Sequence, residues 1–120
     1  MHTILLVEDD KDISDLLCEL LEDEGFKVIL ARNGKEALDF FENGNTANLI
    51  LLDYMMPLLD GRGFLLEMEK SKPNLKKQIP VLLMTAAGDV LINGMPQVSC
   101  IVKKPIDLEA FLKNIRTYIH

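Results

Sequence analysis

Four apolar residues, Leu49-Ile50-Leu51-Leu52, run directly into Asp53, and Pro57 closes the segment shortly after. An unbroken apolar run of that length reads as a strand covered on both faces, the kind found inside a parallel sheet. Pro57 has no amide hydrogen to give to a sheet, so the strand ends at the carboxylate. Asp53 is thereby placed at the carboxyl end of a central strand. In open α/β sheets ligands bind along that edge. An acid there either caps a loop or reacts, and the rest of the chain has to decide between the two.

The same pattern repeats along the chain. Thr3 to Val7 is a second apolar run that ends in acids, Glu8-Asp9-Asp10. Ile13, Leu16, Leu17, Leu20 and Leu21 then recur at helical spacing, predicting one apolar stripe on a helix that Gly25 terminates. Phe26 to Ala31 reads as a strand. Asn33 with Glu36 three positions later resembles a capping box, opening a helix lined by Ala37, Phe40 and Phe41 and ended by Asn43-Gly44-Asn45. Asp60-Gly61 opens a third helix with Phe64, Leu65 and Met68 facing inward, and Pro73 is expected to close it. Pro80 to Thr85 is a fourth strand, and Ile101-Val102 a short fifth that ends in Lys103-Lys104-Pro105. Asp107 caps a last helix carrying Leu108, Phe111, Leu112, Ile115 and Ile119 on one face. Between Ala86 and Val98, Gly88, Asn93-Gly94 and Pro96 predict a short or irregular fourth helix. Strands alternating with helices at this spacing mean βαβ units, a parallel sheet and helices on both of its faces.

The 120 residues, 48% hydrophobic and 27% charged, suit one domain over 1–120. No apolar run is long enough to span a membrane, and Met1-His2-Thr3-Ile4 lacks the basic region and apolar core of a signal peptide. A cytoplasmic location with no membrane contact is expected. The net charge of −6 disfavours direct nucleic-acid binding, which needs Lys and Arg to displace counterions. Cys18 and Cys100 stand in no metal-type spacing and read as reduced thiols.

In a parallel sheet all carboxyl ends lie on one edge. Glu8, Asp9, Asp10, Asp53, Thr85 and Lys104 should therefore meet. Singly, each has a plain explanation: acids favour helix N-termini, an aspartate suits a turn, and a lysine is usually solvated. Together they pose an electrostatic problem, since two carboxylates 4 Å apart repel by roughly 4 kcal/mol at an effective dielectric of about 20. A hard divalent cation, protonation or Lys104 could offset it. Carboxylates joined by a backbone carbonyl suit Mg²⁺, whose shell is often completed by phosphate oxygen.

With these residues in hand, the chain resembles a receiver domain of the two-component response regulator family, similar to the chemotaxis response regulator. The motifs are Glu8-Asp9 after Ile4-Leu5-Leu6-Val7, then Asp53-x-x-Met56-Pro57-x-x-Asp60-Gly61, then Thr85-Ala86, then Lys104-Pro105. The resemblance implies a flavodoxin-like α/β fold: a three-layer sandwich around a five-stranded parallel sheet in the order 2-1-3-4-5. It implies that Asp53 accepts a phosphoryl group from a sensor histidine kinase or phosphotransfer protein. It implies Mg²⁺ bound by Asp9 and Asp53, by Glu8 mostly through water, and by the Met55 carbonyl. Lys104 would pair with a phosphoryl oxygen, Thr85 would hydrogen-bond another, and the Lys104–Pro105 peptide would be cis. Such a domain is a signalling switch and not an enzyme turning over a separate substrate. It would be a monomer or weak homodimer that meets a downstream protein on the face formed by the fourth helix, fifth strand and fifth helix.

The chain also departs from the family. Three positions before the lysine the family usually has an aromatic residue, and here Ile101 stands there. With the segment 86–98, which reads as shorter than usual, this raises an alternative: a pseudo-receiver that binds partners without phosphorylation. A haloacid-dehalogenase-like phosphatase would want an acid at Met55. A flavodoxin would want a phosphate-binding loop where Glu8-Asp9-Asp10 stand.

Overall fold

A computed structural model describes residues 2–56, 58–86 and 98–119. Five strands, β1 (Thr3–Val7), β2 (Lys27–Ala31), β3 (Leu49–Asp53), β4 (Val81–Thr85) and β5 (Cys100–Lys103), form one sheet. Its order is β2-β1-β3-β4-β5 and every pairing is parallel. Each residue of β3 and β4 is buried, as expected for strands covered on both faces.

Because side chains alternate along a strand, the sheet feeds two separate cores. Leu5, Val7, Ile50, Leu52, Val81 and Leu83 pack with Ala37 and Phe41 of α2 (Gly34–Glu42) and Phe64, Leu65 and Met68 of α3 (Gly61–Ser71). Ile4, Leu6, Leu49, Leu51, Leu82, Met84 and Val102 pack on the other face. Their partners are Leu17 and Leu21 of α1 (Lys11–Asp23) and Phe111 and Ile115 of α5 (Leu108–Tyr118). These are the three layers of a flavodoxin-like sandwich.

The helix ends follow their local chemistry. Asp10, Asn33, Asp60 and Asp107 accept hydrogen bonds from the first-turn amides of α1, α2, α3 and α5. Gly25 and Gly44, just past α1 and α2, take φ of +93° and +88°.

Two expectations need correction. Pro73 does not simply end α3. That helix stops at Ser71, and Pro73 opens a short further helix, α4 (Pro73–Gln78), at a first-turn position where a missing amide hydrogen costs nothing. Leu16 is not part of the inner stripe of α1: Leu17 and Leu21 are buried while Leu16 is 52% exposed. Phe40, partly buried, packs against the core beside the fully buried Phe41, in line with its spacing. The expected fourth helix at 86–98 falls almost entirely on residues 87–97, which lie outside the described residues.

Candidate functional site

The carboxyl ends of β1, β3, β4 and β5 surround a cavity of about 200 Å³, lined by Glu8, Asp9, Asp10, Asp53, Thr85, Ala86 and Lys104 among others. Each side chain arrives there because its strand ends there. Glu8 follows Val7 and continues the β1–β2 ladder, its amide donating to the Ala31 carbonyl at 3.0 Å. Asp53 is the last residue of β3. The next amide, of Tyr54, donates to the Met84 carbonyl at 2.9 Å and holds the strand end against β4. The Lys104 amide donates to the Thr85 carbonyl at 2.9 Å, so β5 delivers its lysine level with the end of β4. The start of α3 closes in from below. The Gly61 amide donates to the Tyr54 carbonyl at 2.9 Å, and a Cβ at that position would sit 2.8 Å from the Asp53 carbonyl oxygen.

Acid donor atoms from Glu8, Asp9 and Asp53 all lie within 4.8 Å of one another, with Glu8 and Asp53 buried and Asp9 exposed. Lys104 Nζ donates to Glu8 Oε1 at 3.2 Å and to Asp53 Oδ1 at 3.1 Å. The other Glu8 oxygen accepts from the Asp10 amide at 3.2 Å. Burial is the main influence on Glu8 and pushes its carboxyl up from 4.5 to about 7. The adjacent Asp53 adds to that, and the Asp10 amide and Lys104 oppose it. Burial also works against the Lys104 ammonium. The Asp53 hydrogen bond, with the charges of Asp53 and Glu8, outweighs it and holds the lysine above its ordinary value.

Three carboxyl groups thus crowd one corner of the sheet edge, with the Lys104 ammonium in contact with two of them. An all-oxygen donor set, partly open to water through Asp9, fits a hard divalent cation such as Mg²⁺. Thr85 is buried at the cavity wall. Met55 also lines the cavity, its side chain 65% exposed. The Lys104–Pro105 peptide is cis. Ile101 lies on β5 and is partly exposed.

The expected residues thus come together. Asp10 lines the cavity but its Oδ1 accepts from the Ile13 amide at 3.1 Å, so it serves α1 as a cap. Two contributors carried no sequence signal. Ile13 reaches the cavity wall, although its spacing placed it on the inner stripe of α1. Arg32 reaches across to α1 and donates to Ser14 Oγ at 3.1 Å.

Comparison with known proteins agrees with this geometry. The family model described as the response regulator receiver domain matches residues 4–116. The chain is 43% identical over 91 residues to the transcriptional regulatory protein CpxR of Escherichia coli, covering 76% of this chain and 36% of that protein. It is 40% identical to the probable transcriptional regulator ycf27 of Cyanidium caldarium, covering 95% of this chain and 46% of that protein. It therefore spans less than half the length of these curated relatives. Among solved structures, the response regulator TrrA of Thermotoga maritima, in complex with Mg²⁺ and BeF, superposes with a TM-score of 0.85 at 30% identity, covering 99% of this chain and all of that one. The receiver domain of a signal transduction histidine kinase from Syntrophus aciditrophicus gives 0.89 at 26%, covering 99% and 90%. Sheet order, acid cluster and family match converge: this chain belongs to the response regulator receiver domains of two-component systems, a family of signalling regulators and not of turnover enzymes.

Proposed function

We propose that this domain is a phospho-acceptor switch and that Asp53 is the acceptor. An Asp53 carboxylate oxygen attacks the phosphorus of a phosphohistidine on a sensor kinase or phosphotransfer protein, or of a small phosphodonor. With phosphohistidine, already protonated on its other ring nitrogen, the phosphorus–nitrogen bond breaks and neutral imidazole leaves; with acetyl phosphate the phosphorus–oxygen bond breaks and acetate leaves; either way an acyl phosphate forms on Asp53. Asp9 and Asp53 would hold Mg²⁺ directly, Glu8 would act mostly through water, and the Met55 carbonyl would complete the protein's share. When bound, Mg²⁺ supplies charge neutralisation around the transferring group. Lys104 moves its hydrogen bond from the Asp53 carboxylate to a phosphoryl oxygen, and the Thr85 hydroxyl takes another. The observation that carries this reading is the approach of Glu8, Asp9 and Asp53 to within 4.8 Å, with Lys104 3.1 Å from Asp53.

A downstream protein, met on the face that includes β5 and α5, would sense the change. The domain would act in the cytoplasm, as a monomer or weak homodimer, without touching nucleic acid itself, in keeping with its net charge of −6. Incubation with acetyl phosphate or beryllofluoride tests the proposal. The acyl phosphate from acetyl phosphate should form only with Mg²⁺ and map to Asp53 by borohydride trapping and peptide mass spectrometry, the beryllofluoride complex should be seen on the intact protein by fluorine NMR, and both should vanish in Asp53→Asn. An adduct absent from the unaltered protein would leave the phosphorylation-independent pseudo-receiver as the better account.

A further inference from the structure

The proposed ligands come from two different junctions: Glu8 and Asp9 lie in the loop between β1 and α1, while Asp53 ends β3 and Met55 follows it in the loop to α3. Both loops are tied to a third segment that supplies none of the proposed ligands, the β2–α2 turn at residues 31–36. Toward the first loop, the Ala31 carbonyl accepts from the Glu8 amide at 3.0 Å, and Arg32 Nη1 donates to Ser14 Oγ at 3.1 Å. Ser14 is fully buried, and its hydroxyl donates in turn to the Lys11 carbonyl at 3.1 Å, inside the first turn of α1. Toward the second loop, the Gly34 amide donates to the Leu59 carbonyl at 2.9 Å. A Cβ on Gly34 would overlap that same carbonyl oxygen. The turn is itself braced: the Arg32 amide donates to Glu36 Oε1 and the Glu36 amide to Asn33 Oδ1, both at 2.9 Å.

We propose that Arg32, Ser14 and Gly34 are positioning residues for the cation site, the turn acting as a strut that sets the gap between the Asp9 and Asp53 loops. The proposal rests on the cation-assisted phospho-acceptor function given above. Mg²⁺ demands near-octahedral geometry at about 2.0–2.1 Å, so a small error in the spacing of two loops is felt in its affinity. The residue types fit the role. Glycine is a poor choice for the first helical position of α2, and the close approach of the Leu59 carbonyl explains it. A serine buried in the first turn of α1 is explained by the guanidinium it receives. Arg32 is positive, and its charge is felt as far as Lys11. By charge alone, removing it would tighten the binding of a cation. A positioning role predicts the opposite sign.

Titration calorimetry of Mg²⁺ on the whole chain tests this, using Ser14→Ala, Arg32→Ala, Arg32→Lys and Gly34→Ala, each with a melting curve in chelator to establish folding. Ser14→Ala and Arg32→Ala should each weaken Mg²⁺ binding by about tenfold, the lower end of the range for outer-shell partners of a metal site. Arg32→Lys, which keeps a donor for the Ser14 hydroxyl, should recover most of the loss. Raising Mg²⁺ should return acetyl phosphate labelling of Ser14→Ala to the unaltered rate. Gly34→Ala should behave like Arg32→Ala, and if it does not fold the other variants decide. Unchanged or tighter Mg²⁺ binding in Ser14→Ala and Arg32→Ala overturns the strut while leaving the phospho-acceptor function intact. An unaltered protein that binds no Mg²⁺ overturns both.

Discussion

Glu8 is a fully buried carboxyl facing a second carboxyl, and its protonation state is set by where the fold puts it. Its native value near 7 lies above the ordinary 4.5. Between those limits the folded protein holds a proton that the unfolded chain has lost. Stability from this group is therefore fully present below about 4.5 and is lost as pH rises through about 7. In chelator, the thermal midpoint of the unaltered protein should fall, relative to Glu8→Gln, between pH 5.5 and pH 8, as read by circular dichroism melts at roughly those values. Parallel curves for the two proteins would contradict the assignment. Leu58 makes a different point. It is 82% exposed and takes a φ of +66°, a conformation that costs a residue with a Cβ roughly 1–2 kcal/mol. Leu58→Gly relieves that strain, less the extra entropy of a glycine in the unfolded chain, and should stabilise the protein by up to about 1 kcal/mol in urea titrations. The acid cluster was legible residue by residue, since each member stands at the end of an apolar run. That Asp10 caps α1 was not, because an acid following Glu8-Asp9 suits the strand-end cluster and a helix N-terminus alike.

Among the elements, the caps were the most readable feature and the faces of the helices the least. Asp107 opens α5 with one oxygen that accepts from the amides of Glu109 at 3.1 Å and Ala110 at 3.3 Å. Asp107→Ala should cost about 1 kcal/mol in chemical denaturation without changing Mg²⁺ affinity, since a cap acts on its own helix. A loss of Mg²⁺ binding would mean that α5 helps position Lys104. The capping box at Asn33 was half right. Asn33 does accept from Glu36, but the Glu36 carboxylate accepts from the Arg32 amide, one residue further back than the usual box, whose glutamate reaches the cap residue itself. The stripe on α1 was drawn too wide because helical spacing identifies apolar neighbours, not which of them the sheet covers. Leu16 and Leu17 are adjacent in sequence, and only Leu17 faces the sheet. Pro73 stands just past the end of α3, as its ring requires, and also opens α4, because proline suits the first turn of a helix.

For the whole molecule the governing quantity is charge. The chain carries a net −6, and a knot of acids sits at one edge of the sheet with Lys104 in contact. A divalent cation that binds only the folded form stabilises it by mass action, by about 2.7 kcal/mol at a hundredfold excess over its dissociation constant. Mg²⁺ should therefore raise the melting temperature and chelator should reverse the gain, with a smaller gain in Asp53→Asn. Scanning calorimetry showing no Mg²⁺ dependence in the unaltered protein would count against a cation site.

By itself the sequence determined the strands, most of the helix boundaries and the side of the sheet on which the reactive residues lie. Those properties depend on patterns within a few residues: short apolar runs, caps and turn glycines. Parallel pairing then sends every strand end to one edge. Only the tertiary structure decided how closely the acids approach, which of Glu8 and Asp9 is buried, and that Arg32 meets Ser14, 18 residues away. Such distances are set by loops packed against other loops, and a contact between a turn and a neighbouring helix leaves no period in the chain.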